Sequence, residues 1–120
     1  MRQILHAEGR RFANTVIWSM AGWAAAWASE KSLRQWTCVN AASVVLALIL
    51  DLTTAERALI LALGLVLLAT ELMNTAVEEV VDVILPDPDP RAKKAKDCGS
   101  AAVALAALAG GVAWVVILLG

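Results

Sequence analysis

Ala58-Leu-Ile-Leu-Ala-Leu-Gly-Leu-Val-Leu-Leu-Ala-Thr70 carries no charge, and the chain then changes character at Glu71-Leu-Met-Asn74-Thr-Ala-Val-Glu78. At 1.5 Å of rise per helical residue, Glu71 lies about 20 Å beyond Ala58. A hydrocarbon core about 30 Å thick therefore still contains it, about 10 Å from the nearer edge. With Glu71 as the zero of a helical wheel, Asn74, Thr75, Glu78 and Asp82 fall within about 60° of it, and Met73, Val77, Val80 and Ile84 take the far side. A carboxylate this deep costs several kcal/mol unless it has partners, a cavity or a substrate. The acids nearer the helix end, Glu79 and Asp82, read more simply as markers of the membrane boundary.

Working outward, residues 12–29, 35–50 and 99–120 are also free of charge. Hydrophobic residues make up 60% of the 120-residue chain, above the roughly 45–50% of soluble domains. Ten Lys and Arg against eleven Asp and Glu give a net charge of −1. That balance provides no basic field for nucleic acid and no acidic field for basic partners. Cys38 and Cys98 lack metal-site spacing and read as packing residues. Arg2, Arg10 and Arg11 before an apolar stretch, with small residues at 25–29, resemble a secretory leader loosely. Asn14, Thr15 and Ser19 interrupt that stretch, so it is kept as part of the folded chain.

The expected fold is an all-α membrane protein, a single unit over residues 1–120 with an N-terminal amphipathic surface helix and three spanning helices. Phe12, Val16, Met20, Trp23 and Trp27 recur at helical spacing on one side, opposite Arg11, Thr15, Ser19 and Glu30. This suits a helix over about 1–30 lying in the interface better than one crossing it, with Trp at headgroup depth. Spanning helices are expected at about 33–50, 56–84 and 92–119. Basic residues gather before the first span and between the second and third, where Arg91, Lys93, Lys94 and Lys96 lie, and only Arg57 stands on the other side. The excess of positive charge on inner loops places the N terminus and the second loop in the cytoplasm. Pro86, Pro88 and Pro90 cannot stay helical and mark that loop as the turn. Ala102, Ala106 and Gly110, with Ala107 and Gly111 alongside, form a seam for close helix approach, within one chain or between chains.

After the turn, Lys93, Lys96, Gly99 and Ser100 come back beside the acidic face of the second span. Carboxylates with an amide hold Mg²⁺ through oxygen, lysine holds phosphate as a point charge, and glycine permits close backbone approach. Phosphoryl transfer needs these parts, because it is mostly positioning and charge neutralisation. Glu71, in poorly hydrated surroundings, is the candidate base for an alcohol proton. Lys93 and Lys94 read better as contacts to anionic lipid. There is no G-x-x-x-x-G-K-[ST] loop and no soluble-kinase glycine loop, and the single His6 supports neither a metal cluster nor a Ser-His-Asp set.

Glu71-x-x-Asn74-x-x-x-Glu78 followed by Ala95-Lys96-Asp97-Cys98-Gly99-Ser100-Ala101-Ala102 resembles the paired signatures of the prokaryotic diacylglycerol kinase family. Ser19-Met-Ala-Gly22 and Ala26-Trp-Ala-Ser-Glu30 extend the likeness to the N-terminal helix. The resemblance implies a homotrimeric bundle in the bacterial inner membrane, with active sites shared between chains, in which MgATP phosphorylates a lipid alcohol. Carried over by position, Glu71 is the general base, also at the lipid substrate, and Glu30 and Glu78 bind the metal as part of the nucleotide site. Asn74, Lys96 and Asp97 hold or organise the phosphates, Trp18 and Ser19 lie near the nucleotide, and Arg11 and Ser100 face the lipid headgroup.

This chain departs from family members in the cytoplasmic turn. Asp87 and Asp89 stand between prolines where enterobacterial relatives have Glu and His, and Lys93-Lys94 replaces Gly-Arg; on the surface helix Ala24 stands where a basic residue is common. Undecaprenol kinase shares the fold and signatures and is the alternative reading. A small multidrug transporter, also near this length with one buried Glu, is the alternative outside kinases and requires four spans.

Overall fold

A computed structural model describes residues 1–120, all of them in or between four helices. These are α1 (Arg2–Ser29), α2 (Lys31–Ile49), α3 (Thr54–Ile84) and α4 (Pro90–Leu119). Three of them, α2, α3 and α4, are long and apolar enough to cross a membrane. With 31 and 30 residues, α3 and α4 are each about 45 Å long and overrun a core of about 30 Å. The ends of α3 and α4 that adjoin the proline-rich link are charged, with Glu79 and Asp82 on α3 and Arg91, Lys93, Lys94 and Lys96 on α4. The 19 residues of α2 only just span.

The chain divides into two compact units, Met1–Glu30 and Lys31–Gly120. In the first, Thr15 and Ser19 turn their hydroxyls back to their own helix, donating to the carbonyls of Arg11 and Thr15 at 2.9 and 2.8 Å. Trp23 and Trp27 stack with ring centroids 6.1 Å apart. Phe12 and Met20, from the same stripe, are exposed. The helix stops at Glu30, whose backbone is extended (φ −101°, ψ 107°) and whose N–H closes the last turn on the Ala26 carbonyl.

In the second unit α3 is central and packs against both α2 and α4. Two glycines set the closeness of these pairs. A Cβ on Gly64 would collide with the amide of Asn40 from α2, and one on Gly99 of α4 would collide with the amide of Asn74. Ala47, Ile60 and Ala113, one from each helix, form the buried core, with Leu52, Leu61, Leu63, Trp114 and Ile117 against it. Trp114 also reaches across to α2, its indole N–H donating to Ser43 Oγ at 2.8 Å. Outward, Leu65, Leu105, Val112 and Val116 are exposed, as expected where hydrocarbon is the solvent and gives apolar side chains no reason to turn inward.

The links end the helices by identifiable chemistry. Thr53 and Glu56 form a reciprocal capping box at the start of α3. Arg57 reaches back to α2, donating from Nε to the Ala47 carbonyl at 2.8 Å and from Nη2 to that of Leu50 at 3.4 Å. At the other end, α3 stops after Ile84, and the Leu85 N–H bonds the Val81 carbonyl. Asp89 caps α4 through the Arg91 N–H, and Pro90 takes the first helical position, where its missing donor does no harm.

One expectation changes. Cys38 and Cys98 are free and exposed on the chain rather than packed within it, since a small apolar thiol meets no penalty against lipid. Of the small-residue seam, for which packing within one chain and between chains stood equally open, Ala106, Ala107, Gly110 and Gly111 line a groove of about 530 Å³ over α3, opposite Trp36, Ser43 and Leu46 of α2.

Candidate active site

Glu71 is the one buried charged residue, 3% exposed. Its Oε2 accepts a hydrogen bond from Ser32 Oγ of α2 at 3.0 Å. Thr75 Oγ1, one turn on, donates to the Glu71 carbonyl at 3.1 Å and so stays on its own helix. The far side of the wheel, at Met73, Val80 and Ile84, is exposed, so the polar row looks toward the interior of the unit.

Asn74 follows on the same face. Its Nδ2 donates to Glu78 Oε1 at 3.2 Å, whereas Oδ1 is buried without a hydrogen-bond partner and rests over Gly99. A buried amide oxygen without a donor loses the hydration it would have in water. The amide is turned so that Nδ2 meets Glu78 while Oδ1 lies against Gly99, which leaves the Glu78 carboxylate as the oxygen donor of the kind a hard cation takes. No group of three or more His, Cys, Asp or Glu forms a cage. A magnesium ion does not require one, since it keeps several waters and takes one or two carboxylates together with substrate phosphates. A single carboxylate at Glu78 is chemically compatible with that ion.

Below the amide, α3 and α4 meet through charge. Lys96 Nζ donates to Asp82 Oδ1 at 2.5 Å, across the turn, and Lys93 pairs with Asp97 along α4 at 2.5 Å. Glu78 is the other carboxylate whose field reaches Lys96. In the turn, the Arg91 guanidinium bonded to Asp89, aided by the Arg91 backbone N–H, holds the Asp89 carboxyl below the ordinary 3.8. Leu85 to Pro90 with Asp82, Lys93 and Lys96 line an open hollow of about 650 Å³ at that turn.

Glu71, Asn74, Glu78, Lys96 and Asp97 thus belong to the Lys31–Gly120 unit, Asn74 and Glu78 being bonded to each other and Asp97 engaged by Lys93. Ser100 is exposed on α4. The remaining expected residues lie in the first unit. There Arg11 is paired with Glu8 at 3.1 Å, Trp18 is exposed, and Glu30 accepts from Ser29 Oγ at 2.9 Å. Sequence reasoning missed Ser32. No local signal marks it, because its partner is 39 residues away. It also took Asp82 for a boundary marker, although the wheel placed it on the face that Lys96 meets.

Three helices long and apolar enough to span a bilayer, one of them carrying a buried carboxylate, mark the class as a multi-pass membrane protein. Residues 17–118 match the prokaryotic diacylglycerol kinase family, and the chain belongs to that family. A diacylglycerol kinase of Pseudomonas aeruginosa is 40% identical over 111 residues, covering 92% of this chain and 90% of the relative. One of Escherichia coli K12 is 34% identical over 108 residues, 90% and 88% of the two chains. One of Haemophilus influenzae is 33% identical over 101 residues, 84% and 86%.

Proposed function

We propose that this protein transfers the γ-phosphate of MgATP to the hydroxyl of diacylglycerol, giving phosphatidic acid, at the cytoplasmic face of the bacterial inner membrane. The observation that carries this reading is Glu71, a carboxylate 3% exposed within a helix fit to span the bilayer. A lipid alcohol arriving from the bilayer edge meets it without crossing water. Family membership supports the choice of reaction.

In this mechanism the Glu71 carboxylate accepts the hydroxyl proton as the alcohol oxygen forms its bond to the γ-phosphorus. The bond from that phosphorus to the β,γ-bridging oxygen breaks, and ADP leaves with the electron pair. Ser32 holds Glu71 Oε2 in place at 3.0 Å and so aims the other oxygen. Lys96 neutralises phosphate charge, and Asn74 and Asp97 help to organise the phosphates. Glu78, with Glu30 as the family resemblance implies, would hold magnesium, which when bound would supply charge neutralisation for the transferring phosphate. Trp18 and Ser19 flank the nucleotide, and Arg11 and Ser100 the lipid headgroup. A homotrimer completes each site with residues of a neighbouring chain, and the open seam at Gly110 and Gly111, where an added Cβ would meet nothing within 4 Å, leaves room for such a neighbour.

The test is lipid phosphorylation by the detergent-purified protein with MgATP and either diacylglycerol or undecaprenol. Product from diacylglycerol is expected. Product from undecaprenol alone would transfer the reading to the polyprenol, and a folded protein yielding neither would overturn it.

A further inference from the structure

Both lysines that face the turn are already occupied. Lys93 and Asp97 form an i,i+4 pair on one helix, with side chains 78% and 62% exposed. Lys96 and Asp82 differ in kind, because their pair bridges α4 to α3 over 14 residues. The Lys96 side chain is also the more covered, at 39%. This pair sits on the wall of the hollow at the turn, together with Asp87, Asp89 and Lys93. Around that hollow Asp89 is paired with Arg91 and each lysine already holds a carboxylate, so a polyphosphate entering it beside Asp82 and Asp87 meets like charge unless an ammonium is freed to receive it.

We propose that Asp82 is the resting counter-ion of Lys96 and that the phosphates of the incoming nucleotide displace it, so that Asp82 sets the affinity for nucleotide without touching the reacting atoms. The inference rests on the kinase reading, in which Lys96 holds phosphate. The exchange is feasible because Asp82, 63% exposed, returns to water when it loses its partner, so no charge is left buried and unpaired. Exposed ion pairs are weak enough to be broken by a competitor yet strong enough to register in binding. Asp82 is therefore a positioning residue. It holds the Lys96 chain extended toward α3, beside Asn74 and Glu78, and it raises the nucleotide concentration at which the lysine is released.

Asp82→Asn isolates this role, because the amide keeps the size and removes the charge. Nucleotide affinity is measured by calorimetric titration with MgATP and by the KM for MgATP in lipid phosphorylation, and Glu79→Gln provides the same charge change one turn away. For Asp82→Asn, KM and dissociation constant are expected to fall by a factor of about 1.5 to 5, the range of exposed pairs, with kcat within about twofold. Glu79→Gln is expected to leave both constants in place. In a Lys96→Gln background, Asp82→Asn is expected to lose its effect on MgATP binding. Unchanged or weaker MgATP binding by Asp82→Asn, or equal tightening by Glu79→Gln, would overturn the proposal while leaving the kinase reading intact. Tighter MgATP binding by Asp82→Asn in a protein that phosphorylates no lipid would uphold the proposal and sink the reaction. A wild-type protein with no MgATP affinity would overturn both.

Discussion

Ser32 Oγ donates to Glu71 Oε2 at 3.0 Å, joining the first turn of α2 to the buried carboxylate of α3. A hydrogen bond to a charged group contributes about 1.5–3 kcal/mol, and its loss inside a bilayer has no water to replace it. Ser32→Ala is expected to lower kcat for diacylglycerol phosphorylation by about tenfold or more, with little change in KM for MgATP. Ser32→Thr, which keeps the hydroxyl, is expected to retain most of the rate. Steady-state kinetics in mixed micelles measure both, and an unchanged kcat in Ser32→Ala would remove Ser32 from the site.

Glu71→Gln tests the base itself. The amide oxygen can still accept from Ser32, so assembly is expected to survive, while loss of a general base lowers turnover by about 10²–10⁴-fold. Size-exclusion profile and phosphorylation rate report the two halves separately. Near-normal turnover would show that another group takes the proton.

Gly99→Ala places a methyl on the Asn74 amide, where nothing but a shift of the asparagine or of the helix makes room. Overpacking of this kind costs about 1–3 kcal/mol, so thermal unfolding in detergent is expected at a lower temperature than wild type. Asn74→Ala added to Gly99→Ala should restore the unfolding temperature but not the activity. Failure of that rescue would mean that Gly99 is required for some other approach.

Arg57 donates to the Ala47 carbonyl in the last turn of α2, and more distantly to that of Leu50, which also accepts from the Leu52 N–H. Arg57→Met keeps the apolar stem and leaves the Ala47 carbonyl without its side-chain donor, at about 1.5–3 kcal/mol for a hydrogen bond to a charged group. The unfolding temperature is expected to fall while kcat at permissive temperature is kept, because the link lies at the opposite end of α3 from the Lys96–Asp82 pair.

Asp89 carries a pH signature. Its carboxyl is lowered from 3.8 chiefly by the Arg91 side chain and then by the Arg91 N–H. A depressed carboxyl contributes stability that is fully present above 3.8 and is lost as pH falls through the lower folded value. Asp89→Asn, which still caps α4, is expected to be less stable than wild type at neutral pH and to match it in strong acid. Denaturation curves across that range check the convergence.

Charge-free runs, the prolines at 86, 88 and 90 and the polar row after Glu71 made three long apolar helices, the turn and the polar face of the second of them legible without coordinates. Period and length carry that information locally, so a bilayer of known thickness is enough to read it. The partnership of Lys96 with Asp82 was half visible, since both residues were placed toward one face but not matched. Ser32 and the apposition of Asn40 with Gly64 were invisible, because no rule of spacing within one helix selects a residue on another.

By itself, the sequence determined that this chain lives in a membrane, where it turns, and that Glu71, Asn74 and Glu78 share one side of α3. Each of these follows from hydrocarbon solvation and helical period, which act on neighbours along the chain. Tertiary structure alone decided that Ser32 bonds Glu71, that Asn74 Oδ1 stays buried and without a donor, and that Lys96 rests on Asp82. Those relationships depend on how closely two helices approach, which here is fixed by glycines 64 and 99, and helix separation is a property of packing between segments.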